Sequence, residues 1–162
     1  SRAPPAARGG MMDYLTRNPI ALEPLLAEVQ TPERGGTCVF LGTVRGGGDD
    51  EVTGIDYSAY DEMAVAEIKR ILDETQARFT SARVMLQHRL GLVPLGEASI
   101  AIAAAAPHRD EAFAACRCVI EEVKKRLPVW KKELHADGTT TWVDASGRPH
   151  PLAPSPFGEG EQ

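Results

Sequence analysis

The chain has 162 residues, a length that predicts one domain, and its 43% hydrophobic and 25% charged residues are those of an ordinary globular protein. The formal net charge of −5 argues against a general attraction to nucleic acid or to anionic membranes. No apolar run is long enough to cross a bilayer, which excludes a membrane-spanning helix. Any binding of anions must therefore be local.

The composition of the chain changes near both ends. Residues 1–12 are predicted to form a disordered leader, and the proline- and glycine-rich residues 147–162 a disordered tail, which leaves residues 13–146 as a single α+β domain. Three cysteines without CxxC spacing indicate a reducing compartment. Because the start of the chain lacks the apolar core of a signal peptide, we expect a cytoplasmic protein.

The first half of the domain alternates between helical and strand patterns. Residues 19–30 predict a short helix, and the apolar run at 37–44 predicts a buried strand. Gly46 and the following GGDD predict a flexible loop. Residues 52–60 alternate as in a half-buried strand, and the spacing of apolar residues over 61–79 predicts a helix.

The second half repeats this order. Residues 83–90 predict a half-buried strand, 97–105 a second strand whose alanines suit close helix packing, and 108–127 a helix ended by Pro128. The apolar stripe of that helix consists of Phe113, Cys116, Ile120, Val123 and Leu127. Strands at 129–135 and 139–143 are joined by a hairpin at Asp137-Gly138. The order ββαββαββ predicts an α+β fold.

The segment KKRLPVWKKE, residues 124–133, concentrates basic residues in an acidic chain. Lys124 falls beside the apolar stripe of its helix while Lys125 points outward, and the bend at Pro128 brings Lys131 back toward the helix end. Two lysines in one pocket lower each other's pKa, which makes an amine a better nucleophile or proton donor. The alternative is an ordinary solvated charged face.

Two further segments are candidates for binding an anion. His108 and Arg109 lie where a strand passes into a helix, and helix N-termini offer free N–H groups to phosphate. Arg45 ends the buried strand, after Thr43 and Val44, just before the glycine run. His108 as a simple helix cap and Arg45 as a solvated strand end remain open alternatives. We expect Arg45, His108 and Arg109 to share one pocket.

Metal and cofactor chemistry has no support in the sequence. His88, His135 and His150 show no metal-ligand spacing with cysteines or carboxylates. The glycine run is not a phosphate-binding P-loop, because acidic residues follow it instead of Lys-Ser or Lys-Thr. We therefore expect neither a metal nor a cofactor.

Taken in order, the segments GTVRG, DYSAYDEMA, HRLGLVPLGE and HRDEAFAACRCVIEEVKKRLPVWKKE resemble the large, catalytic subunit of molybdopterin synthase, over about residues 12–144. The resemblance implies an α/β-hammerhead-like fold with an additional small antiparallel β-sheet. It also implies a sulfurtransferase of molybdenum cofactor biosynthesis, which converts cyclic pyranopterin monophosphate into molybdopterin. The sulfur would come from the thiocarboxylated C-terminal Gly-Gly of a small ubiquitin-like subunit. Two large subunits would form the central homodimer of a heterotetramer.

The resemblance assigns roles to individual residues. Lys124 matches the essential lysine near the partner's tail, and Lys131 the second lysine of the pocket, so both are predicted to be catalytic. The residues predicted to bind the substrate are Thr43, Val44, Arg45, His108, Arg109, Lys124, Lys131, Lys132 and Glu133. Some of them would serve the neighbouring subunit, because the family's pocket lies near the dimer interface. The run from Gly46 to Asp50 departs from the polar, Asn-containing loop that is frequent in the family.

Two other classes of function remain to be weighed. A non-catalytic α+β module could sense a phosphorylated metabolite, but it would not need a channel for a partner's tail that ends at Lys124. A nucleic-acid module would need several exposed aromatic residues beside the basic segment, and the net charge disfavours it.

Overall fold

A computed structural model of the chain describes residues 12–46 and 51–143, together with the backbone of residues 149–150. The predicted leader before residue 12, the end of the predicted glycine loop at residues 47–50 and most of the predicted tail lie outside the described residues. Met12, which was predicted to belong to the leader, packs against the core. Met12 therefore belongs to the packed part of the described chain.

The described residues form nine strands and three helices. In chain order they are β1 (Leu15–Thr16), α1 (Leu22–Val29), β2 (Gly36–Thr43), β3 (Val52–Ser58), α2 (Asp61–Arg78), β4 (Arg83–Arg89), β5 (Gly91–Pro94), β6 (Ala98–Ala106), α3 (Arg109–Arg126), β7 (Trp130–His135), β8 (Thr140–Val143) and β9 (Pro149–His150). No helix in this part of the chain combines the length and the hydropathy that crossing a membrane requires.

The strands form two sheets. The first has the order β1-β4-β6-β2 and the second, which is wholly antiparallel, the order β5-β3-β7-β8-β9. Only the short β1–β4 pair of the first sheet is parallel. Helices and antiparallel sheets occupy separate layers, so the α+β class is confirmed, with a small additional antiparallel sheet as predicted.

The core lies between the first sheet and the helices. All six residues from Ala101 to Ala106 on β6, five alanines and one isoleucine, are fully buried. Helix α3 packs across β6 and β2. Small side chains allow this close approach, as the sequence predicted. Gly36 on β2 has the same role, since a Cβ there would stand 3.0 Å from the Cα of Arg109 at the start of α3.

The hairpin near the end of the domain follows from its turn residues. Gly138 has a φ of +90°, which favours glycine, and Asp137 Oδ1 accepts hydrogen bonds from the backbone N–H and the hydroxyl of Thr139 at 2.8 and 2.6 Å. This turn directs β8 back along β7. The hairpin predicted at Asp137-Gly138 is confirmed.

Four predictions about individual elements are wrong. β2 was predicted to be buried, but it is an edge strand on which Val39, Phe40 and Leu41 are each about two-fifths exposed. Phe113, predicted as core, is 58% exposed on α3. β4 is buried on both faces from Val84 onward, because β1 and β6 flank it and helices cover it. A continuous apolar run and an alternating one do not reveal the position of a strand in its sheet.

The fourth wrong prediction concerns the tail. β9 lies in the stretch predicted to be disordered, and its residues pair with Trp142 and Val143 of β8. Pro149 has no N–H to donate, and β9 tolerates it because it is the edge strand of the second sheet. Residues 149–150 therefore belong to the second sheet.

Candidate active site

A cavity of about 330 Å³ opens where the end of β2, the last turn of α3 and the strands β3 and β7 meet. Six of the nine residues predicted to bind the substrate line it: Thr43, Val44, Arg45, Lys124, Lys131 and Glu133. Three of these six side chains are basic. The fold therefore brings together two segments that are far apart in the sequence, residues 43–45 and residues 124–133.

The path of the chain after α3 places the two lysines in one cavity. The buried side chains of Val123 and Leu127 anchor the last turn of α3, which leaves Lys124 at the cavity edge. The helix ends before Pro128, and β7 then returns antiparallel to β3, with Lys131 paired to Tyr57. The predicted convergence of Lys124 and Lys131 is thus present in the structure.

The strand period of two separates the charged residues of β7. Lys131 and Glu133 share the face that lines the cavity, so Lys132 must point to the opposite face. There its Nζ lies 5.5 Å from the centre of the Trp142 ring, a cation–π contact. Lys132 therefore does not line this cavity, because alternate residues of a strand face opposite sides, and its predicted role in substrate binding stays a prediction.

The electrostatics of Lys131 agree with the sequence argument. Burial lowers the pKa of its ammonium group, the nearby charge of Lys124 lowers it further, and Glu133 opposes the shift. A lysine whose charge is partly desolvated binds an incoming anion more strongly than one in bulk water, because the surrounding medium screens less. The pair is suited to holding a negatively charged group inside the cavity.

His108 and Arg109 lie far from this cavity in the same chain. They begin α3, and Lys124 lies fifteen residues further along it, which corresponds to roughly 22 Å at the helical rise. β2 likewise separates Gly36, next to Arg109, from Thr43, at the cavity, by roughly 23 Å. A pocket shared by Arg45, His108 and Arg109 is therefore not formed within one subunit, and it remains a prediction for two copies.

Three polar residues of the cavity were not predicted. Tyr57, His88 and Ser99 line it and are all buried. Burial raises the pKa of the Tyr57 hydroxyl, a hydrogen bond with Ser99 opposes the shift, and Glu133 adds to it. His88 stands on the apolar face of β4 between Leu86 and Leu90, and a polar residue interrupting an apolar stripe was the available signal.

A network of ion pairs fixes the end of α3 that carries Lys124. Arg126 donates to Glu67 Oε2 at 2.7 Å and to Glu74 Oε1 at 2.7 Å, both on α2, and to Glu122 Oε1 at 3.2 Å on its own helix. The pKa of Glu67 is lowered chiefly by its hydrogen bond with Arg126. The network joins the two long helices next to the cavity, so it restrains the position of the last turn.

The chemistry that this cavity can support is the binding of anions by fixed cations. Arg45 supplies a fork-shaped donor, and the two lysines supply compact positive charges. Within the described ranges, no three His, Cys, Asp or Glu side chains gather as metal ligands would. The cavity therefore offers positioned ammonium and guanidinium groups.

Comparison with known proteins gives concordant results. The family model described as MoaE protein matches residues 15–126. The chain is 38% identical over 130 residues to molybdopterin synthase catalytic subunit 1 of Mycobacterium tuberculosis, which covers 80% of this chain and 88% of that protein. It is 41% identical over 128 residues to the molybdopterin synthase catalytic subunit of Pyrococcus abyssi, covering 76% and 83%.

The structural comparison agrees with the sequence relatives. The crystal structure of molybdopterin synthase from Staphylococcus aureus matches with a TM-score of 0.77 and 29% identity, over 80% of this chain and 95% of that one. The matched share of each chain includes most of the described residues, so the similarity concerns the whole domain.

Proposed function

The chain belongs to the MoaE family of molybdopterin synthase catalytic subunits, and on that premise we propose that it transfers sulfur to cyclic pyranopterin monophosphate. The donor is the thiocarboxylated C-terminal tail of a small ubiquitin-like partner, and the product is the dithiolene of molybdopterin. The observation that carries the proposal is the cavity in which Lys124 and Lys131 stand together beside Arg45.

The cavity supports this reaction because every reactant is anionic. The substrate carries a phosphate and the tail carries a thiocarboxylate. Once the sulfur has formed a new C–S bond to the pterin, water cleaves the acyl C–S bond of the resulting thioester, so the sulfur stays on the pterin and the tail leaves as a carboxylate. Lys124, at the cavity edge, is placed to hold the tail, and Lys131, deeper and partly desolvated, is placed to stabilise charge on the reacting groups. No nucleophilic cysteine of this chain is required, since the sulfur arrives on the partner.

The proposed assembly is a homodimer flanked by two small subunits. Among the described strands, β2 is an edge of the first sheet and exposes Val39, Phe40 and Leu41, and Phe113 on the adjacent helix is also exposed. An edge strand with apolar side chains is a surface that a second copy can cover. In such a dimer, His108 and Arg109 of one copy would complete the pocket of the other. The three free cysteines fit a reducing, cytoplasmic setting.

A reconstitution experiment tests the proposed reaction. The chain is mixed with a thiocarboxylated small ubiquitin-like subunit and cyclic pyranopterin monophosphate, and the dithiolene product is measured. The matched control uses the same subunit with an ordinary C-terminal carboxylate, which has no sulfur to give. Product with the thiocarboxylate alone supports the proposal. Binding of the pterin without any product would instead indicate a module that senses the metabolite.

A further inference from the structure

His88 is a buried histidine in the wall of the cavity that the proposed reaction leaves without a role. It is 6% exposed, and its Nδ1 lies 2.9 Å from the backbone carbonyl oxygen of Arg89. A carbonyl oxygen only accepts hydrogen bonds, so Nδ1 must carry the hydrogen. In a neutral ring, Nε2 is then an unprotonated acceptor.

The surroundings of His88 keep the ring neutral. Burial lowers its pKa to about 4, and the charges of Lys131 and Lys124 contribute to the shift against the hydrogen bond with Arg89. Tyr57 packs edge-on against the imidazole, with ring centres 5.2 Å apart and planes at 71°. The ring is thus held in place, with Nε2 among the atoms farthest from the backbone.

His88 lines the cavity, and its Nε2 is the ring nitrogen left over for a ligand there. It has no hydrogen-bond partner among the described residues, where the histidine bonds only through Nδ1. In the same part of the chain, the unpartnered side-chain N and O atoms that are closed off from solvent are Ser81 Oγ and Arg89 Nε. Nε2 is therefore an unused acceptor within reach of a ligand.

The cavity consequently presents two kinds of group. Arg45, Lys124 and Lys131 only donate and attract anions, whereas Nε2 of His88 and the carboxylate of Glu133 accept hydrogen bonds. A simple anion uses the first kind alone. A ligand that carries both a phosphate and a heterocycle with N–H groups uses both, and a pyranopterin monophosphate is such a ligand.

We propose that Nε2 of His88 accepts a hydrogen bond from an N–H group of the pterin ring. His88 is then a substrate-binding residue that selects the heterocycle, while the basic residues select the phosphate. This inference rests on the proposed function for the identity of the substrate. The competing role for His88 is structural, in which only its bond to the Arg89 carbonyl matters.

Two substitutions separate these roles, because each places a side-chain amide where one of the two ring nitrogens lies. In His88→Gln the side-chain amide reaches the position of Nε2, and in His88→Asn it reaches that of Nδ1. Binding of cyclic pyranopterin monophosphate to the protein without its partner is measured by calorimetry. We expect His88→Asn to lose about tenfold in affinity and His88→Gln less than threefold, with affinity for inorganic phosphate unchanged in both. The opposite order, or equal losses for pterin and phosphate, would overturn the proposal.

A measurement on the wild-type protein covers the case in which a variant fails to fold. With ¹⁵N-labelled histidine, the Nε2 resonance of His88 should shift on addition of the pterin monophosphate and stay unchanged with inorganic phosphate. An unchanged resonance at saturating pterin would contradict the inference. If the proposed function were wrong while this inference held, the pterin would bind and shift the Nε2 resonance, but no dithiolene would form with the thiocarboxylated partner.

Discussion

Helix α3 carries basic side chains at both ends, His108 and Arg109 at its beginning and Lys124 to Arg126 in its last turn. The basic residues of the last turn have their surroundings within one chain, since Lys124 lines the cavity and Arg126 binds three carboxylates. At the other end, His108 and Arg109 are exposed, and no hydrogen bond or ion pair engages their side chains in the described part of the chain.

The helix dipole explains the basic residues at the C-terminal end of α3 but not those at its N-terminal end. Cations at a helix C-terminus are favourable, so Lys124, Lys125 and Arg126 stabilise α3 whatever else they do. Cations at a helix N-terminus are unfavourable, and the acidic residues Asp110 and Glu111 of the first turn are what the helix itself requires there. Local physics therefore gives no reason for Arg109, and a site that breaks a local rule is a candidate for function.

The largest expected effect is at the last turn of α3, which carries Lys124. Replacing Lys124 by Ala should lower the rate of dithiolene formation by about 10² or more, because the ammonium group would hold and stabilise the anionic tail. The free energy of unfolding should change by only about 1 kcal/mol, since Lys124 borders the apolar stripe without filling it. Single-turnover assays and urea unfolding measure the two quantities.

Lys125 is the matched control for this prediction. It is one residue further along, its side chain is 69% exposed, and its closest ion pair, to Glu122, spans 3.7 Å. Lys125→Ala should therefore keep nearly full activity. Loss of activity in Lys125→Ala with wild-type turnover in Lys124→Ala would show that the helix phase has been assigned wrongly.

The buried His88, which lines the same cavity as Lys124, should make the free energy of unfolding sensitive to acid. The pKa of His88 is about 4 in the folded chain against 6.5 ordinarily, so the unfolded chain takes up the proton first. The stability that the neutral His88 contributes is fully present above pH 6.5 and is lost as the pH falls toward 4. Between pH 7 and 4.5, the free energy of unfolding should fall by about 2 to 3 kcal/mol more in the wild type than in His88→Gln. An equal fall in the free energy of unfolding between pH 7 and 4.5 in the two proteins would refute this prediction.

The exposed end of α3 should show its effect only through a second copy. Arg109→Ala should lower activity by roughly tenfold with little change in stability, because one charge-assisted contact to an anion is lost. Assays at saturating partner check the rate, and thermal unfolding checks the fold. Full activity in Arg109→Ala would leave this end of the helix without a function.

Mixing two defective chains distinguishes contributions within and between subunits. Equal amounts of Arg109→Ala and Lys124→Ala give half mixed dimers, in which one of two sites is intact if Arg109 acts across the interface. After subunit exchange, activity should rise toward about a quarter of the wild-type value, as the site statistics of a dimer require. No gain on mixing would place both residues in the same subunit's site, against the ~22 Å that separates them along α3.

The smallest expected effect concerns the anchor of the last turn. Arg126→Lys keeps one charge but cannot serve three carboxylates with a planar fork, so the free energy of unfolding should fall by about 1 kcal/mol. Arg117→Lys is the control, because the side chain of Arg117 is 79% exposed and pairs, among the described residues, with Glu121 alone. The change there should be a few tenths of a kcal/mol. Equal losses in urea unfolding would mean that the network adds nothing.

Only part of the site could be predicted from local patterns. Lys124 followed from its place on the helical wheel, and Lys131 from the bend at Pro128, because both depend on neighbours within a few residues. Lys132 was assigned by resemblance to a contiguous segment, and strand alternation, which is itself local, places it on the face of β7 away from the cavity. Tyr57 and His88 were missed because nothing near them in the sequence indicates that β3 and β4 border the same cavity.

The sequence by itself determined the three helices, the main strands and the order in which they follow one another, since apolar periodicity and turn residues such as Asp137-Gly138 act over a few positions. Sheet order was decided only by tertiary packing, which made the apolar β2 an exposed edge and buried β4 on both faces. Packing also decided that Arg45 lines the same cavity as Lys124 while Arg109 lies at the far end of α3. Burial and pairing between distant segments depend on the whole chain, and no local window contains that information.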